Sequence, residues 1–105
     1  MTETTLKEEK RNHAVLVGLN AHSLPPEDNA TETTLEELAA LLETAGGECV
    51  GTVLQNKEKP DARTFIGEGK VEEVRELALA VDADLIVFDN EISPAQIRVL
   101  TEETG

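Results

Sequence analysis

Three short apolar runs, each followed by a stretch with helical spacing, constrain this chain more than any other feature. Ala14, Val15, Leu16, Val17, Gly18 and Leu19 form the first run. It is continuous and β-branched, as suits a strand covered on both faces. Residues 48–55 form the second, where Val50, Thr52 and Leu54 alternate with Cys49, Gly51 and Val53. Its polarity and its interior glycine suit an edge strand. Residues 84–89 form the third, with Leu85, Ile86, Val87 and Phe88 at its centre. Strands separated by helical segments argue for right-handed crossovers and a parallel sheet.

The helical segments carry their own punctuation. Leu35, Leu38, Ala39, Leu42 and Ala45 make one apolar stripe. Thr34 with Glu37 reads as a capping box, Thr33 with Glu36 fits equally well, and Gly46-Gly47 supplies the stop. This predicts a helix over 34–45. A second helix is predicted over 70–81, with Val71, Val74, Leu77, Ala78 and Val81 on one face. Ser93, Pro94 and Gln96 then open a third as N-cap, N1 and N3.

The expected fold is therefore α/β: a three-stranded parallel sheet of order 2-1-3 built from βαβ units. Helices 34–45 and 70–81 lie on opposite faces, with the third returning to the face of the first. This order leaves the apolar third strand unpaired on its outer side. The sheet reads as cut before a fourth strand, and the chain as a fragment of a longer protein. The polar residues 1–13 read as a disordered lead-in, and 14–105 as one domain. With 105 residues there is room for one modest core.

Charge and composition narrow the function. Acidic residues number 22 and basic residues 9, a net charge of −13. Such a body repels nucleic acid as a general coat, so no DNA partner is expected. Two Phe are the only aromatics, too few for a base-stacking platform. No apolar run nears the ~20 residues of a membrane span. The first residues lack the pattern of a secretory signal, and the single Cys49 forms no internal disulfide or multi-cysteine metal site. The expectation is a reduced, cytoplasmic domain without membrane contact.

In an open parallel sheet, ligands gather at the carboxyl ends of the strands. Residues 55–70 lie there. They hold the cations Lys57, Lys59, Arg63 and Lys70 against the carboxylates Glu58, Asp61 and Glu68, so this stretch is +1 and the rest of the chain −14. A local cationic island on an acidic body can make a targeted contact with phosphate, and equally can be a solvated loop. Its length and polarity predict the most mobile ordered segment. Gly67 and Gly69 before Lys70 could let backbone N–H groups approach an anion, or could simply shape a turn into a helix. The pattern is not a phosphate-binding loop, which requires Gly-x-x-x-x-Gly-Lys-Ser/Thr. Thr64 replaces the first glycine and Val71 the hydroxyl.

Other constellations fail on chemistry. Asp89 ends the third strand, as a phosphoacceptor would. No acidic pair follows the first strand to hold magnesium, and Asp89 reads instead as strand termination. Lys59 stands where a guanine-reading Asn-Lys-x-Asp motif needs aspartate. His13 and His22 have no ligand spacing. Cys49 reads as a buried small hydrophobe.

The run 59–74, with Thr64-Phe65-Ile66-Gly67-Glu68-Gly69-Lys70 at its centre, resembles the N-terminal domain of the HflX family of ribosome-associated GTPases. Residues 45–52 and 84–96 support this in the family's order, and the similarity covers about residues 14–104. Glu68 stands where a small residue is common. The resemblance implies a parent that hydrolyses GTP and associates with the large ribosomal subunit. It implies further that the fourth strand, a helical hairpin and the GTP-binding domain belong to the rest of that parent. GTP and magnesium are then expected only in that other domain, with no cofactor and no catalytic residue here. The expected partners are the large ribosomal subunit and the parent's own GTPase domain. Lys57, Lys59, Arg63, Phe65, Gly67, Gly69 and Lys70 are the candidate partner or anion contacts. The alternative is a small nucleotide- or anion-binding domain using the Gly67–Lys70 turn.

Overall fold

The computed structural model describes residues 12–104. Strand β1 (His13–Ala21) runs down the middle of a three-stranded sheet. β2 (Glu48–Lys57) and β3 (Leu85–Phe88) pair with it on either side, both parallel, in the expected order β2-β1-β3. β1 begins one residue earlier than expected, and residues 1–11 of the predicted lead-in lie outside the described residues. Ala14 to Leu19 are all buried, which is why this run is so uniformly apolar. Complete burial of each such valine or leucine contributes about 1.5–3 kcal/mol. Gly18 is required by close approach: a Cβ there would lie 2.5 Å from the Ala30 Cβ.

Helix α1 (Glu32–Thr44) covers one face of the sheet and α2 (Glu68–Ala80) the other. Ala14, Leu16, Leu35, Leu38 and Leu42 pack together under α1. Val15, Val17, Leu19, Val53, Val71 and Val74 form the larger core under α2. Opposite faces follow from handedness, because the chain moves from β1 to β2 in one direction and from β2 back to β3 in the other.

Helix α3 (Pro94–Thr104) corrects the sequence expectation. It lies on the face of α2, where Leu100 joins the Val71 and Val74 core, and not on the face of α1. A helix leaving β3 on this face has the sense of a right-handed crossover directed outward past β3. A return to α1's face would instead carry the chain back across β1. α3 packs against α2 and leaves an apolar groove of about 360 Å³ beside β3, lined by Ile66, Ile86, Phe88, Ile97 and Leu100. β3 is accordingly an edge strand among the described residues, with Leu85 39% exposed.

Two helix starts also move. α1 is capped by Thr31: Thr34 N–H donates to its Oγ1 at 3.1 Å, and Thr31 N–H donates to Thr34 Oγ1 at 2.8 Å. Of the threonines available, Thr34 is drawn into the N3 role by a hydrogen bond to the Asp89 carboxylate. α2 starts at Glu68 with Gly67 as N-cap, earlier than the predicted Lys70. The Ser93 box is as predicted: Gln96 N–H donates to Ser93 Oγ at 3.2 Å and Ser93 N–H to Gln96 Oε1 at 3.0 Å.

Asn90 continues the β3 ladder with its side chain. Its Oδ1 accepts from Leu19 N–H at 2.7 Å, and its Nδ2 donates to the carbonyls of Leu19 at 3.0 Å and Asp28 at 2.9 Å. One amide therefore replaces a further residue of parallel pairing and anchors the loop after β1.

Candidate functional site

The connection from β2 to α2 is a built loop. β2 runs to Lys57, two residues beyond the predicted strand. Asp61 and Phe65 exchange backbone hydrogen bonds at 2.8 and 2.9 Å, closing a tight turn. The Asp61 carboxylate accepts from the backbone N–H groups of Arg63 at 2.8 Å and Thr64 at 3.0 Å. These donors, with the Lys57 charge further off, hold the Asp61 carboxyl below the usual aspartate value. The buried Thr64 hydroxyl donates to the Ile66 carbonyl at 2.6 Å. Gly67 N–H donates to Gln55 Oε1 at 2.9 Å. From α3, Gln96 Nε2 donates to the Asp61 and Ala62 carbonyls at 3.4 and 3.3 Å. Residues 61–67 of this connection are thus tied at several points.

Phe65 leaves the contact set. Its φ of +68° turns the backbone left-handed and directs the ring inward, leaving it 5% exposed in the α2 core. A side chain other than glycine or asparagine rarely adopts this conformation, and burial of the ring offsets the strain. Thr64-Phe65-Ile66 is therefore a structural joint between β2 and α2.

The remaining candidates divide by their partners. Arg63 lies between two carboxylates: Nη2 is 3.3 Å from Glu103 Oε2 and Nη1 is 3.8 Å from Glu68 Oε2. Lys70 pairs along α2 with Glu73 at 3.0 Å. Lys57 and Lys59 make no ion pair among the described residues. Both line a shallow depression of about 540 Å³ with Glu58, Pro60, Asp61 and Ala62. Lys57 also lines a second, of about 430 Å³, with Asn20, His22, Asn56 and Glu58. A Cβ on Gly67 would stand 3.4 Å from Lys57 Nζ, so this ammonium sits over the start of α2. Gly69 lies in the first turn of α2 with open space around its Cα and no left-handed backbone to explain it.

The structure places Lys57 and Lys59 along one rim at the carboxyl end of β2, with Gly67 against the Lys57 ammonium and Arg63 in the turn that follows. It turns Lys70 aside and sends Phe65 into the core. The rim is open and carries charged side chains, a shape suited to a macromolecular contact more than to enclosing a small molecule. No cluster of metal-ligating side chains occurs among the described residues. Glu103, Gln96 and Gln55 were missed in the sequence. Gln96 was visible only as a helix cap, and nothing local to Glu103 marks its reach to Arg63.

A sequence model of the GTP-binding GTPase N-terminal family matches residues 32–105. The chain belongs to this family. Individual relatives agree. The GTPase HflX of Alkalihalophilus pseudofirmus is 37% identical over 100 residues, covering 95% of this chain and 23% of that protein. The GTPase HflX of Lacrimispora saccharolytica is 39% identical over 100 residues, with the same coverage. The GTPase HflX of Escherichia coli is 36% identical over 66 residues, 63% of this chain and 16% of that protein. The chain therefore spans about a quarter of the length of the first two relatives, and the resemblance read from residues 59–74 and their neighbours is borne out. No helix among the described residues is long and apolar enough to cross a membrane.

Proposed function

We propose that this chain is the N-terminal accessory domain of an HflX-type GTP-binding protein, and that its Lys57–Arg63 rim contacts the large ribosomal subunit. The observation that carries this reading is the rim's charge. Lys57 and Lys59 stand without ion pairs among the described residues, on an otherwise acidic body of net charge −13. An acidic body repels a phosphate backbone everywhere except at such a point, which favours one docking orientation. In this reading GTP and magnesium belong to a separate domain of the longer protein, the chain itself does not hydrolyse GTP, and the protein works in the cytoplasm. The parent's GTPase domain is the second partner. The open edge of β3 and the groove under α3 support a fourth strand in that longer protein.

The test is large-subunit binding by the full-length protein across a salt series. Removing one lysine–phosphate interaction flattens the salt slope by about one unit. Lys57→Ala with Lys59→Ala should weaken binding and reduce the slope by up to about two, with the melting temperature unchanged. Unchanged binding and slope would remove the rim from the interface.

One observation favours a second reading, in which the start of α2 binds a small anion or nucleotide. Gly67 offers no side-chain cap and Gly69 stands in open space. Against it, Gln55 already accepts from Gly67 N–H and Lys70 is engaged by Glu73. Localised amide shifts at Gly67 and Gly69 on adding ATP or GTP would support it.

A further inference from the structure

Arg63 differs from the two lysines beside it, because α3 reaches across to hold it. Its guanidinium Nη2 lies 3.3 Å from Glu103 on α3, and its Nη1 lies 3.8 Å from Glu68 on α2. Carboxylate oxygens around a guanidinium satisfy it with the same chemistry as a phosphate: anionic acceptors facing a planar fork of donors. Gln96 and Glu103 lie seven residues apart on α3, two turns along one side of the helix. Both meet the 61–63 turn, Gln96 through the carbonyls of Asp61 and Ala62. The placement of Glu103 over Arg63 is therefore fixed by how α3 docks on the loop. The side chains of Arg63 and Glu103 are 53% and 46% exposed, so the pair is well hydrated and open to exchange.

We propose that Glu103 is an internal competitor for Arg63. In the free domain it occupies the guanidinium and holds down the phosphate affinity of the rim. A phosphate group arriving at Lys57 and Lys59 displaces it and gains the third cation. This rests on the reading of the rim as a phosphate contact and adds a regulatory contact to it.

The experiment uses the 105-residue chain with sodium tripolyphosphate as the probe, at low salt, followed by NMR of the Arg63 side chain and the amides of residues 57–63. Glu103→Gln should lower the titration midpoint about two- to five-fold, the range that an exposed ion pair can supply. Glu102→Gln, on the same helix and outside any ion pair among the described residues, removes the same formal charge and should give a smaller gain. In an Arg63→Gln background the advantage of Glu103→Gln over Glu102→Gln should vanish. The inference is overturned if Glu103→Gln matches Glu102→Gln, weakens binding, or keeps its advantage without Arg63. If these outcomes occur while Lys57→Ala with Lys59→Ala still weakens binding, the rim stands and only the competitor role falls. If tripolyphosphate shifts neither the 57–59 amides nor Arg63 in any variant, both readings fall together.

Discussion

Replacing Asn90 by aspartate tests the strand-like bridge with almost no change of volume. In the native chain the amide is 9% exposed and makes three hydrogen bonds, two of them as a donor to carbonyl oxygens. Asn90→Asp keeps a carboxylate oxygen to accept from Leu19 N–H. It also points a second charged oxygen at the Leu19 and Asp28 carbonyls, where the amide donated. Asn90→Ala leaves the Leu19 N–H without a partner, while the Leu19 carbonyl keeps the Ala30 N–H at 3.0 Å; a buried group left unpaired costs about 1–3 kcal/mol when water cannot replace the bond. Asp28 lies in an exposed turn, and its carbonyl recovers water. The alanine variant should therefore lose about 1–3 kcal/mol of a total stability of about 5–15 kcal/mol. At about 4–8 °C per kcal/mol, that lowers the melting temperature by roughly 4–24 °C.

The aspartate variant adds a pH signature. The new carboxyl is disfavoured as an anion in the folded state, so its folded pKa rises above the unfolded value of about 3.9. A group raised in this way is stable in its protonated form at low pH and loses stability as pH rises toward the folded pKa. The stability gap between native and Asn90→Asp chains should widen as pH rises through about 4, the unfolded pKa, by up to ~1.4 kcal/mol per unit, and level off above the folded pKa. Urea unfolding followed by circular dichroism, run on both chains at each pH, measures the gap directly. A gap that does not vary with pH, or an Asn90→Ala deficit under about 1 kcal/mol, would refute the argument that Asn90 carries the end of the β3 ladder.

Two further outcomes follow from the loop and the start of α2. Gly69→Ala should raise stability by about 0.5–1 kcal/mol in thermal unfolding, because the backbone there is helical and the space is open. Asp61 is held below the usual carboxylate range by the Thr64 and Arg63 N–H groups, so its contribution is present above that range and fades as pH falls through the depressed value. The Arg63 and Thr64 amide resonances, followed through an acid titration, should move together with that protonation, and Asp61→Asn should abolish the shared step.

The sheet was legible because its signals are local. The apolar runs mark the strands, and handedness with the crossover order forces α1 and α2 apart. Ser93, Pro94 and Gln96 declare the start of α3 within four residues. The start of α1 was less legible, since Thr31, Thr33 and Thr34 all offer hydroxyls and the choice is tipped by Asp89, far away in sequence. The face of α3 was misjudged because it depends on which way the next crossover travels, a property of the whole sheet. At the rim, charge alone picked out Lys57, Lys59 and Arg63. Phe65 entered the contact set with its sequence neighbours, and only its burial in the folded chain shows that the ring turns inward. The partners that discipline the loop come from 12 residues away for Gln55 and 35 for Gln96, beyond any local pattern.

Among the described residues, the outer side of β3 has no neighbouring strand, and the net charge bears on what can reach it. A strand edge with free N–H and C=O groups is a template for any other extended chain, including another molecule of the same kind. Leu85 and the groove below α3 add apolar surface beside it. What keeps such molecules apart in dilute solution is mutual repulsion at −13, a colloidal protection that weakens as the solution approaches the isoelectric point near 4.4. Salt acts in the same direction by shortening the range of that repulsion. Low pH or high ionic strength therefore lowers the barrier to edge-to-edge association of such molecules.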